Sequence, residues 1–390
     1  MRARLRTQIL RAVASASRPF VHPAPTPPTK AAPRVLLIRP DHIGDLLFAT
    51  PAIHALRSTL SDAHIACLVG PWAAEILETN RHLDEVITCP FPGFTRRPKR
   101  HLLEPYSILW ACARGLRTKS YDVAVVLRFD HWWGAMLAYY AGIPRRVGYA
   151  MPPVAPFLTE GLSYSSGRHE VEQNMRLVAA IANGDVDHPG PLEFTPGEEA
   201  LRSAATLLAP LEPRRSYLCL HPGAGAPVKL WRPEAFAQVG DTLARSHGLQ
   251  VVITGSAGEQ ALAQSIAERM ETKTLMVVGQ TDLGGLAAIL AKSRLVIGVD
   301  SGPLHLAVSQ GVPTIHLFGP ADHRVFGPWG DPEKHIVLVA NKECIPCNRL
   351  DYGPDELDDH PCVRSISVAQ VLEAADSLLR SDSQARGGMV

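Results

Sequence analysis

The sequence predicts an α/β protein of two domains of similar size, each built on a parallel sheet. Three observations predict it. The chain has 390 residues, more than one ordinary core uses. Short apolar runs alternate with helix-period segments in two separate series, 34–149 and 216–318. Between them, residues 184–196 are rich in Gly, Pro and Asp and read as a linker.

In order, 34–39 (RVLLIR) reads as a buried strand and 44–58 as a helix. Strands follow at 64–70, 85–89 and 121–128, then a helix at 132–141 and a short strand at 146–149. The second series opens with a strand at 216–220, a helix from Pro233, a strand at 250–254 and a helix from Glu259. It continues with strands at 274–278, 294–299 and 314–318 and helices at 283–293 and 303–310. The predicted organisation is a basic Pro-rich tail (1–33), a first domain (34–183), the linker (184–196), a second domain (197–366) and a closing helix (367–381).

Composition sets the class. The chain is 46% hydrophobic and 20% charged with a net charge of +1, the profile of a soluble globular protein without global steering toward nucleic acid. Most apolar runs, such as that after Arg294, are too short to span a bilayer. Cys67, Cys89, Cys112 and Cys219 are scattered through apolar stretches, a pattern suited to a reducing compartment. Residues 1–33 hold five Arg, one Lys and no acid. They read as a transit peptide, a basic helix against an anionic membrane, or a disordered tail.

Three segments carry chemistry. Asp41-His42-Ile43-Gly44-Asp45 follows the first strand. Gly44 permits a tight turn and a close ligand approach. Asp45 opens a helix, where a carboxylate serves either as a helix cap or as a base. The second segment, His221-Pro222-Gly223 through Lys229 and Trp231, is a Gly-rich loop with a cation, but lacks the Gly-Lys-Ser/Thr of a P-loop. The third, Asp300-Ser301-Gly302-Pro303-Leu304-His305, ends an apolar strand. Ser301 suits an N-cap, Pro303 the first helical turn, and the free N–H groups there make an anion site. His305 either donates to a phosphate or caps neighbouring backbone.

These segments resemble glycosyltransferase family 9, the heptosyltransferase family. The resemblance rests on Ile43-Gly44-Asp45-Leu46-Leu47 with Thr50-Pro51-Ala52, on Ala141-Gly142-Ile143-Pro144 with Gly148-Tyr149, and on the His221, Asp300 and Gly319-Pro320 segments. It spans roughly 34–379 and implies the GT-B type: two Rossmann-like domains with parallel sheets facing across a cleft. It further implies an inverting, metal-independent transfer of heptose or a related sugar from an ADP-sugar to a lipopolysaccharide core or other surface-glycan acceptor. No cofactor beyond the nucleotide sugar is implied. On this chain, Asp45 would be the base, with Lys229 and the N–H groups near Ser301, Gly302 and Leu304 stabilising the departing diphosphate. Thr254, Gly255 and Glu259 would meet the nucleoside, and Gly223, Asp300 and His305 would complete the donor site. Gly44, Arg128 and Arg97 are the acceptor-side candidates.

Two clusters stay open. Cys344, Cys347 and Cys362 with His360 suit zinc, a redox pair, a structural group of free thiols or a local disulfide. The basic run Arg96, Arg97, Lys99 and Arg100 meets acceptor phosphates or anionic lipid heads, or is a solvated loop. The expected setting is cytoplasmic, with peripheral contact at the inner membrane and no nucleic-acid partner. A nucleotide-sugar 2-epimerase and a non-catalytic nucleotide binder are the competing readings.

Overall fold

The run RVLLIR can be buried on both faces only if helices cover both sides of its sheet. In the computed structural model, which describes residues 2–18, 21, 32–95, 101, 103–182 and 188–387, five of its six residues are buried. The chain forms two compact units, Met1–Gly190 and Pro191–Val390.

The first unit carries strands β1 (Arg34–Arg39), β2 (His64–Val69), β3 (Glu85–Thr88), β4 (Val123–Val126), β5 (Arg145–Tyr149) and β6 (Glu160–Leu162). Its helices are α1 (Arg2–Ser17), α2 (Ile43–Leu47), α3 (Thr50–Thr59), α4 (Glu75–Glu78), α5 (Glu104–Arg117), α6 (Trp132–Tyr140) and α7 (Glu170–Ile181). The sheet order is β3-β2-β1-β4-β5-β6, and every neighbouring pair is parallel.

The second unit repeats the plan. Its strands are β7 (Tyr217–His221), β8 (Gln250–Ile253), β9 (Thr274–Met276), β10 (Val296–Val299), β11 (Thr314–Phe318) and β12 (His335–Val339). Helices α8 (Glu198–Leu208), α9 (Pro233–His247), α10 (Gln260–Ala267), α11 (Leu283–Ala291), α12 (Gly302–Ser309), α13 (His323–Phe326) and α14 (Val368–Gly387) accompany them. The order β12-β11-β10-β7-β8-β9 is again all parallel. In both sheets the first strand of the unit therefore lies beside the fourth. Chain direction across the sheet reverses at that point, and loops beyond the strand ends there leave a crevice for ligands. The segments after β1, β4, β7 and β10 occupy these two positions.

Several elements differ from the sequence expectation. The single helix expected over 44–58 is two, α2 and α3. Pro51 has no N–H to give the Leu47 carbonyl, and the Thr50 hydroxyl donates to that carbonyl instead at 2.7 Å. Residues 2–17, expected within a tail, form α1. Its Leu10 and Ala14, one turn apart, are buried in the first unit's core, and the Tyr139 hydroxyl donates to the Ala14 carbonyl at 3.1 Å. The basic run containing Arg97 lies outside the described residues. No helix among the described residues is long and apolar enough to cross a membrane.

Candidate active site

In the first unit, β1 ends on Arg39, which is 1% exposed. A buried guanidinium must be paired, and here three carboxylates share it. Its Nε lies 2.7 Å from Asp41 Oδ2, and its Nη2 lies 3.2 Å from Asp45 Oδ1 and 2.9 Å from Glu170 Oε2. Nη1 donates to Asn174 Oδ1 at 3.2 Å, and Asn174 Nδ2 donates to the Phe48 carbonyl at 3.0 Å. Glu170 and Asn174, spaced i and i+4, bring α7 onto the loop after β1. From the end of β4, Arg128 pairs with Asp41 and donates to Asp130 Oδ1 at 2.6 Å.

This packing separates the two aspartates. Burial pushes the Asp41 carboxyl up, but Arg39 and Arg128 together hold it below its ordinary value. Asp45 has the opposite fate. Burial, then the Asp41 charge, push it up to about 6, against the opposing pull of Arg39. Its side chain still keeps 25% of its surface open, so it is reachable from solvent. His131 beside them is lowered to about 3 by burial and stays neutral.

In the second unit, β7 delivers His221 and the Gly-rich loop, and β10 delivers Asp300. Lys229 Nζ pairs with Asp300 Oδ2 at 2.6 Å, joining the two segments. His221 is lowered to about 4 by burial, and its Nδ1 shares a hydrogen bond with Thr254 Oγ1 at 3.0 Å. Glu259 Oε2 accepts from the Ser256 N–H at 2.6 Å and its hydroxyl at 2.9 Å. Its carboxylate fills the space over Gly223, where an added Cβ would stand 1.8 Å from Oε1. Gly255 lies under the same carboxylate, its Cβ position 3.2 Å from Oε2. Gly223, Thr254, Gly255 and Glu259 are thus one neighbourhood at the ends of β7 and β8.

Ser301 sits at the N-cap of α12 in extended backbone, but its hydroxyl makes no capping bond. That hydroxyl is buried without a hydrogen-bond partner. The Leu304 N–H bonds the Ser301 carbonyl at 3.2 Å. His305 is buried, with its ring 5.5 Å from that of His316.

Cys344 and Cys347 are exposed, Cys362 is buried, and all are free. In the described residues the three sulfur atoms do not all lie within 4.8 Å of one another. Cys347 Sγ instead lies 3.8 Å from the Tyr352 hydroxyl. The sequence reading gave no role to Arg39, Glu170 or Asn174. One signal was present: a charged residue closing an otherwise apolar strand needs a buried partner.

Two six-stranded parallel sheets in series, each covered by helices, are the plan of the GT-B fold. Residues 109–351 match glycosyltransferase family 9 (heptosyltransferase), and the chain belongs to that family. Lipopolysaccharide heptosyltransferase 3 of Escherichia coli K12 is 28% identical, over 87% of this chain and 96% of that protein. Lipopolysaccharide heptosyltransferase 1 of Pseudomonas aeruginosa is also 28% identical, over 83% of this chain and 89% of its own. Among solved structures, the family 9 glycosyl transferase of Veillonella parvula superposes with a TM-score of 0.76 at 25% identity, covering 91% of this chain and all of that one (100%). The E. coli ADP-heptose lps heptosyltransferase II shares the fold, with a TM-score of 0.72 at 21% identity over 90% of this chain and 99% of its own.

Proposed function

We propose that this glycosyltransferase moves a heptose, or a related sugar, from an ADP-sugar to a lipopolysaccharide core or other surface-glycan acceptor, with inversion and without a metal ion. The two lipopolysaccharide heptosyltransferases that the chain resembles support the sugar and the acceptor class. The observation that carries the mechanism is the pair of aspartates after β1: one is locked to two arginines, the other is raised to about 6 and open to solvent. A base whose pKa lies near the working pH is ionised yet still binds a proton well.

The acceptor hydroxyl gives its proton to Asp45 as its oxygen attacks the anomeric carbon. The bond from that carbon to the diphosphate breaks, and ADP leaves with the electron pair. Attack opposite the leaving group inverts the centre. Lys229 and the Ser301 hydroxyl take up the charge that grows on the diphosphate. Glu259, above Gly223, is the ribose partner. The test is transfer from ADP-heptose to heptose-deficient lipopolysaccharide, with UDP- and GDP-sugars as controls and Asp45→Asn beside the wild type. Transfer from ADP-heptose alone, lost in Asp45→Asn with ADP still bound, is expected. Near-normal turnover by Asp45→Asn overturns the base, and preference for another nucleotide overturns the donor.

A further inference from the structure

Seven large hydrophobic side chains are exposed among the described residues, and five lie on or beside two helices of the first unit. Leu5 and Ile9 are on α1, Tyr106 and Trp110 on α5, and Leu103 caps α5. Such clustering is unlike the single scattered apolar residues of an ordinary surface.

Both helices are two-faced. On α1, Leu10 and Ala14 enter the core. Leu5, Ile9, Ala12 and Ala16 are spaced by four, three and four residues, and all are exposed. At about 100° per residue this second apolar stripe falls on the side away from Leu10 and Ala14. Exposed Arg4 and Arg11 border it on one side and exposed Arg6 on the other, and α1 has no acidic residue. On α5, Leu109, Ala113 and Leu116 point inward. Leu103, Tyr106, Trp110 and Arg114, spaced by three, four and four, run along the exposed face. The helices meet at a hollow of about 280 Å³ lined by Ser17, Val21, Trp110, Arg117 and Tyr140. Both lean on the end of α6: Ser17 Oγ lies 3.5 Å from the Tyr139 hydroxyl, and the Trp110 and Tyr140 rings are 5.0 Å apart.

We propose that the exposed faces of α1 and α5 form a docking surface for an anionic lipid bilayer. Leu5, Ile9, Leu103, Tyr106 and Trp110 enter the boundary between headgroups and acyl chains, while Arg4, Arg6, Arg11 and Arg114 meet lipid phosphates. The charge pattern selects this occupant. An apolar stripe bordered by arginines is the signature of a helix lying in the interface plane, and Trp and Tyr settle at headgroup depth. Nucleic acid would use the arginines but leave Leu5 and Ile9 in water. The whole chain has a net charge of only +1, so an arginine-bordered helix without an acid stands out against a nearly neutral chain. This surface stands apart from Asp45 and does not depend on its role.

The test is co-sedimentation of the full chain with vesicles of phosphatidylcholine alone or mixed with phosphatidylglycerol. Binding to the anionic vesicles, with little to the neutral ones, is expected. It should fade as salt is raised toward about 1 M, where the Debye length is roughly 3 Å. Replacing Arg4, Arg6 and Arg11 by Gln should weaken binding about fivefold per residue. Tyr106→Ser with Trp110→Ser should weaken it about tenfold or more in a chain whose thermal melt shows it still folded. Transfer to a soluble acceptor should be unaffected by either set. Equal binding to neutral vesicles, or none to anionic ones, overturns the proposal. So does a concentration-dependent dimer that the Trp110 variant abolishes, because the face would then belong to a second copy.

Discussion

Lys229 Nζ stands 2.6 Å from Asp300 Oδ2, so the loops after β7 and β10 are tied by a nearly buried ion pair. On the proposed function, Asp300 holds in place the lysine that meets the diphosphate. An ammonium shared between a carboxylate and a phosphate is held in place and still neutralises incoming charge. Lys229→Ala should therefore lower kcat by roughly 10²–10³ and also weaken ADP binding. Asp300→Asn and Lys229→Gln each leave a nearly buried charge without its ionic partner, so both should lower the melting temperature. Steady-state kinetics, ADP titration calorimetry and thermal melts check these outcomes.

Asp45 at about 6 fixes a sign for pH dependence. As the proposed base, Asp45 works ionised, so kcat/KM should fall with one proton as pH drops through about 6. The stability sign is opposite. A carboxyl whose folded pKa is raised favours folding fully below its unfolded value of 3.8, and loses that contribution as pH rises through about 6. Asp45→Asn should thus remove the acid limb of activity, cost about 10²–10⁴ in rate, and flatten the fall in melting temperature over that window. A wild-type profile with no inflection between pH 5 and 7 (about one unit either side of 6) would falsify the assignment.

Glu170 shares the Arg39 guanidinium with Asp45. Its charge pushes the Asp45 carboxyl up. Glu170→Gln keeps an acceptor for Arg39 but removes that charge, so the acid limb should move to lower pH with the fold intact. Glu170→Ala removes the acceptor as well and should also lower stability, by about 1–3 kcal/mol for the unsatisfied buried donor. A pH profile unchanged in the Gln variant would reduce Glu170 to a packing role.

Two glycines separate binding from folding. A Cβ at Gly223 would stand 1.8 Å from Glu259 Oε1, the end of a side chain that can swing away. Gly223→Ala should fold and melt near the wild type but bind ADP more weakly, because Glu259 is displaced. A Cβ at Gly298 would stand 2.4 Å from the His221 carbonyl oxygen, which is backbone and cannot yield. Gly298→Ala should cost about 1–3 kcal/mol of stability by overpacking. Denaturant melts and nucleotide titrations of the pair distinguish the two effects.

Local patterning was enough to read the class of fold, because β-runs such as RVLLIR and the helix periods between them are written in adjacent residues. Strand order was not legible: nothing local shows that β4 lies beside β1 or β10 beside β7, and these pairings put the chemical loops at the reversal points. The α1 segment shows the same limit, since a basic, Pro-flanked stretch gives no sign that Leu10 and Ala14 find a buried partner.

At the site, the sequence by itself determined Asp45, Lys229 and the Asp300 loop as candidates, through their places after predicted strands and the family they resemble. Only the tertiary structure decided their electrostatics. Arg39 and Glu170 are 131 residues apart, yet share one ion pair. Burial then makes the arrangement of three carboxylates around one guanidinium decide which stays charged and which titrates near about 6. A pKa depends on distance and burial, and those exist only once the chain is folded.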